Sequence, residues 1–184
     1  NRHVVMIDNN LANVDKAKRL GLEAITANIF SDTLTDNIEL NDMGYLMALT
    51  GNSDINKFAI NKFQKQFGEN GAFRLVNTEE VNDPDNNPKE GLFSHTDDFI
   101  QLMDTVRKHP TIHEIDLKDK QHYDSLIDLT QKDNDIVPLF TKAPSGSIDI
   151  IPANSKDFVP KGDGYKLVYL GKLIDPDDED QEEA

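Results

Sequence analysis

Residues 4–10 read Val-Val-Met-Ile-Asp-Asn-Asn, a short apolar run that ends in an acid. Such a run, stopped by turn-forming side chains, is expected to be a buried strand. Helical and strand-like stretches then alternate downstream of it. In "LANVDKAKRLG" (11–21), Leu11, Val14, Ala17 and Leu20 recur at near-helical spacing, and Gly21 is placed to stop the helix. "LEAIT" (22–26) is a short strand. "SDTLTDNIEL" (31–40) predicts a helix capped by Ser31, with Leu34 and Ile38 four apart. "MGYLMALT" (43–50) is nearly all apolar, as expected of a strand covered on both faces. Ser53 or Asp54 can cap a helix that carries Ile55, Phe58, Ala59, Ile60, Phe63 and Phe67, with Gly68 closing it. "GAFRLV" (71–76) is a further strand.

Residues 1–76 thus alternate strand and helix, which predicts parallel strands joined by right-handed crossovers in an α/β layered fold. "NTEEVNDPDNNPKEG" (77–91) breaks the rhythm and reads as a loop or excursion. From Ser94 the character changes. "HTDDFIQLMDTVRKH" (95–109) is helical, and "TIHEIDL" (111–117) alternates as a half-exposed strand. "DKQHYDSLIDLTQKD" (119–133) is an amphipathic helix carrying Tyr123, Leu126, Ile127 and Leu129. "IVPLFTK", "SIDIIP" and "YKLVYLGKLI" are strands. The expected division is 1–92 for the α/β domain, 93–109 for a connecting helix, 110–174 for a small α+β module and 175–184 for an acidic tail.

The composition narrows the function. A net charge of −15 with no basic stripe argues against nucleic acid, which needs clustered Lys and Arg. The tail "DPDDEDQEEA" reads as a solvated, disordered end. Without cysteine there is no disulfide, thiolate metal site or thiol nucleophile. No apolar run approaches the ~20 residues that span a bilayer. His3, His95, His109, His113 and His122 form no metal-binding pattern and are expected at the surface. Asp83 and Asp85 beside Asn82 lack the spaced ligands of a calcium loop. "PSGSID" (144–149) lacks a nucleophile elbow and reads as a turn. The Phe-rich helix over 55–67 is a core element first and a dimer face second.

Ligands of open parallel sheets bind outside the carboxyl ends of the strands. There the sequence places Asp8-Asn9-Asn10, Asn28 and Thr50-Gly51-Asn52-Ser53. An acid ending a strand of a dinucleotide-binding unit can accept from ribose hydroxyls, and Asp8 fits that role. It fits equally as a helix cap.

Together "hhhIDxN" at residues 4–10, "ANIxS" at 27–31 and "hhALTxNxxxN" leading into a helix resemble the nucleotide-binding domain of the RCK family, also called KTN or TrkA-N. These domains regulate potassium channels, potassium uptake systems and cation/proton antiporters. The resemblance covers residues 3–76. "IDNN" and "ANI" look most like versions behind sodium/proton antiporter membrane domains. More weakly, "FVPKGDGYKLVYLG" resembles the end of the companion TrkA-C module through Gly162, Asp163, Leu167 and Val168.

The resemblance implies a Rossmann-like parallel sheet that lacks its first strand and glycine-rich turn, truncated upstream, followed by a small α+β TrkA-C-like module. It makes "VVMIDNN" the second strand. The absent strand would lie between those that carry Asp8 and Thr50. Those two strands must then pair with each other, accept another chain, or sit in a distorted sheet. Carried over, the nucleotide-binding residues are Asp8 and Asn9 at the ribose, Asn28 and Ile29 at the adenine, and Thr50, Gly51 and Asn52 at the phosphates. Asn56 lies in the following helix. Asn28 stands where the family often has Asp. The implied ligand is NAD(H) or an adenine nucleotide such as AMP or ATP. The implied partners are a second copy and a membrane-embedded transporter domain, with the chain on the cytoplasmic side. The expected role is non-enzymatic gating of a monovalent cation/proton antiporter. The alternatives are a regulatory subunit of a potassium uptake system or channel, a Rossmann-type NAD-dependent oxidoreductase, and an oligomerisation domain with a vestigial pocket.

Overall fold

The computed structural model describes residues 3–32, 34, 43–68, 71–81, 88–93, 98–152 and 164–175. The expectations placed on Asn82, Asp83, Asp85, His95, Ile38, Gly162, Asp163 and the tail beyond Asp175 lie outside the described residues.

The amino-terminal half is α/β with parallel pairing throughout. Strand β1 (Val5–Asp8) leads into helix α1 (Leu11–Arg19), which returns the chain to β2 (Glu23–Thr26), parallel to β1. Strand β3 (Leu46–Ala48) leads into α2 (Ser53–Phe67) and then β4 (Ala72–Leu75), parallel to β3. Strand β5 (Gly91–Leu92) extends that sheet beyond β4. The segment read as a plain excursion therefore holds both the one-turn helix α3 (Thr78–Val81) and the approach to β5.

One parallel sheet was expected, and two are found. β1 and β2 form one, and β3, β4 and β5 form the other, in the order β3-β4-β5. β1 and β3 do not pair with each other, yet they share a floor. Ile7 of β1, Ile25 of β2 and Leu46 of β3 all pack on Leu34 and Phe63 of α2. Two strand expectations fail at this split. β1 is half-buried along its length rather than fully buried. β3 is covered on one face only: Leu46 and Ala48 turn to α2, while Met47 and Leu49 remain 36% and 40% exposed.

Helices α1 and α2 lie on opposite faces. Met6 and Ala24, paired in register, pack under Val14 and Ala17 of α1. The next pair, Ile7 and Ile25, turns to the α2 side. Alternation of side chains along a strand requires this. The caps are asparagines rather than the expected Ser53 or Asp54. Asn52 Oδ1 accepts from the N–H groups of Asp54 and Ile55 at the start of α2, and Asn10 caps α1.

Helix α4 (Phe99–Lys108), capped by Asp98, leads to the carboxy-terminal half. There β6 (Ile112–Asp116), α5 (Lys120–Lys132), β7 (Ile136–Lys142), β8 (Ile148–Ile150) and β9 (Lys166–Gly171) build an antiparallel sheet in the order β6-β9-β7-β8. Tyr123, Leu126 and Ile127 of α5 close its core against Ile136, Leu167 and Tyr169. "PSGS" is the turn joining β7 to β8, with Gly146 at φ +84°. The sheet's other face packs against the first half: Val137 and Ile150 meet Leu75, Leu92 and Phe93.

Candidate functional site

The carboxyl ends of β1, β2 and β3 carry the residues singled out by sequence. Asp8 ends β1 and works as a turn acid. Its two carboxylate oxygens accept from Asn10 N–H and Asn13 Nδ2, each at 2.8 Å. The cap of α1 is Asn10 rather than Asp8, and Asp8 stands half-buried at the rim beside exposed Asn9. Asn28, after β2, accepts from the Phe30 N–H at 2.9 Å in a tight side-chain turn. Ile29 points the other way, into the core on Ala59 and Phe63.

Thr50, Asn52 and Asn56 are brought together into one network. Asn56 is buried, and its Oδ1 accepts from both Thr50 N–H (3.0 Å) and Thr50 Oγ1 (2.7 Å). Its Nδ2 donates to the Thr50 carbonyl at 2.9 Å. Thr50 Oγ1 also lies 3.1 Å from the Asn52 carbonyl and accepts from the Asn52 N–H. Asn56 is thus the brace of the Thr50–Asn52 loop rather than a surface a ligand could touch. Gly51 has a packing reason: a Cβ there would lie 3.0 Å from the Phe99 ring of α4.

Three features of the rim were not picked out from the sequence. Lys62 Nζ donates to the carbonyls of Ile29 (3.0 Å) and Ser31 (2.5 Å), tying the post-β2 loop to α2. Phe30, 55% exposed, packs against Phe58 with the rings tilted by 47° and their centroids 4.7 Å apart. Third, Arg74 of β4 is buried and forms a forked pair with Glu80 at 2.9 and 3.0 Å, joined by Glu90 and Lys57. Burial opposes ionisation of Glu80, but hydrogen bonds from Arg74, Lys57 and the Asn77 backbone outweigh it and hold its carboxyl at about 2. Burial likewise opposes the Arg74 charge, and the two glutamates raise it above its ordinary value. A charged residue in an otherwise strand-like "AFRLV" was the available signal, since such a residue is rarely buried unless paired.

A cleft of about 530 Å³ lies elsewhere, at the amino end of β4, lined by Ile60, Asn61, Gln64, Lys89, Ile150 and Pro152 among others. None of the predicted rim residues lines it. Among the described residues no cluster of His, Asp and Glu could hold a metal ion, and no helix is long and apolar enough to cross a membrane. No protein-family model, curated protein or solved structure matches the chain.

Proposed function

We propose that the chain is a nucleotide-sensing regulatory domain of a monovalent cation/proton antiporter, acting as a dimer and not as an enzyme. The observation that supports it most is the parallel pairing of β1 with β2 and of β3 with β4 and β5. Open α/β sheets take ligands outside the carboxyl ends of their strands, and Asp8 and the braced Thr50–Asn52 loop stand at the ends of β1 and β3. A ribose diol would meet Asp8, an adenine would lie toward Asn28 and Phe30, and phosphates would meet the loop after β3. A ligand favouring one dimer arrangement would shift the population toward it and so bias an attached gate.

Calorimetric titration of AMP, ATP, NAD and NADH into the chain and into its Asp8→Ala variant tests the reading. Saturable binding weakened at least tenfold by Asp8→Ala is expected. No binding to any form, with folding intact, would sink the sensor.

A second reading, an assembly domain with no ligand, draws on the exposed apolar row Phe99, Ile100, Met103 and Val106 along α4. It predicts dimers whose sedimentation ignores nucleotide.

A further inference from the structure

The cleft of about 530 Å³ at the amino end of β4 takes its walls from both halves of the chain. Helix α2 supplies Ile60, Asn61 and Gln64, whose spacing sets them along one side of the helix. Ile150 ends β8 and Pro152 follows it on the other side, with Phe73 of β4 also in the lining. The halves join at this place: Leu92 bridges to Pro152, and Phe73 packs into the core that holds Ile150. Junctions between packed units are favoured places for small ligands, and the volume lies within the usual range of roughly 300–1,000 Å³.

The lip of the cleft is polar, and its polar groups are unengaged. Lys89 and Glu90 are the central residues of a tight turn, closed by the Gly91 N–H donating to the Pro88 carbonyl. The turn is anchored on β4. The Arg74 N–H donates to the Glu90 carbonyl at 2.9 Å, and Arg74 Nε donates to the Glu90 carboxylate at 3.2 Å. The charge of Glu90 is therefore answered by Arg74. Its neighbour Lys89 is exposed and has no acidic partner among the described residues. Among the same residues, the carboxamides of Asn61 and Gln64 make no hydrogen bond. One uncompensated ammonium and two carboxamides thus stand over a crevice whose wall is apolar.

We propose that this cleft binds a small organic carboxylate with an apolar body. The carboxylate meets Lys89 and the amide N–H groups of Asn61 and Gln64. The apolar body lies on Ile60, Phe73, Ile150 and Pro152. A cationic ligand is disfavoured, because the acid at the lip is already held by Arg74. A ligand seated here touches α2 on one side and the end of β8 on the other, so it stiffens the joint between the two halves. The cleft lies at the amino end of β4, away from the rim that carries Asp8 and Thr50, and the proposal does not depend on any nucleotide.

Titration of the chain with benzoate and with hexanoate, followed by backbone amide chemical shifts, tests it. Saturable millimolar binding of at least one acid is expected, with shifts at Gln64, Gly68, Phe73 and Ile150 and none at Asp8, Asn28 or Thr50. The neutral benzamide and hexanamide should bind roughly fivefold more weakly, as should either acid to Lys89→Gln. Lys89 and Asn61 are exposed, so neither replacement threatens the fold. Asn61→Trp should fill the lip and abolish binding. Failure of both acids to saturate would overturn the proposal. Equal binding of acids and amides, or of Lys89→Gln and the parent, would also overturn it, leaving an apolar crevice with no choice of charge. Shifts confined to the rim would overturn it by placing the anion elsewhere.

Discussion

Asn56 Oδ1 lies 2.7 Å from the Thr50 hydroxyl and 3.0 Å from its backbone nitrogen, so one buried amide shapes the whole turn after β3. Asn56→Ala removes the buried partner of Thr50 N–H and C=O, while Thr50 itself is exposed and water can replace part of what is lost. A hydrogen bond contributes a net ~0.5–1.5 kcal/mol, so urea denaturation should show a loss of ~1–3 kcal/mol. Asn56→Asp keeps the acceptor but sets a buried carboxylate oxygen against the Thr50 carbonyl, so at neutral pH it should cost at least as much. Equal stability of all three forms would mean the brace is dispensable.

The Arg74–Glu80 pair should write itself into the pH dependence of stability. The Glu80 pKa is depressed from 4.5 to about 2 in the folded state. The unfolded chain therefore binds the proton first as pH falls, and folding loses this contribution between about pH 5 and pH 2. The size is roughly 3 kcal/mol, at about 1.4 kcal/mol for each unit. Glu80→Gln should be less stable by a similar amount at pH 7 and converge with the parent near pH 2. Parallel acid limbs for the two proteins would remove Glu80 from the account.

Gly171 ends β9 at φ +129°, and an added Cβ would sit 2.0 Å from the Asp135 carbonyl oxygen. Neither the conformation nor the contact tolerates a side chain. Gly171→Ala should lower stability by ~3 kcal/mol or more, read as a fall in Tm. Gly146→Ala is the comparison: it shares positive φ but meets no atom within 4 Å, so its cost should be only ~1 kcal/mol. Similar values for both would show that the Asp135 contact relaxes freely.

Lys62 holds the loop after β2 by two carbonyl contacts while its ammonium stands 5.9 Å from the Phe58 ring centroid. Lys62→Met keeps an apolar stem and removes the charge and donors. A loss of ~1–2 kcal/mol is expected, with faster hydrogen exchange at Ser31 and Phe30. Should nucleotide bind as proposed, its affinity should fall in the same variant, because the adenine side of the rim loosens. Unaltered exchange there would show that the loop holds its own shape.

Local pattern was enough for much of this chain. The alternation of "VVMID", "LANVDKAKRLG" and "EAIT" fixes a strand, a helix and a strand because periods of two and 3.6 place Met6 and Val14 on one shared face. The spacing of Ala59, Ile60 and Phe63 likewise fixes α2 as a core helix. Asparagines at 10 and 52 cap helices through contacts only two or three residues long, so their chemistry is written locally even where the cap was assigned one residue late. Other features depend on partners distant in sequence and emerge only when the chain is folded. Arg74 is tolerated in a buried strand because Glu80 and Glu90 arrive from a segment that reads as loop. Lys62 becomes a clamp only when the Ile29 and Ser31 carbonyls stand beside it. Met47 looks like core in a continuous apolar run, yet it is exposed, because a strand's second face is buried only if another element crosses it. Side-chain order along one strand sets which residues share a face; whether anything covers that face is a property of the assembled layers.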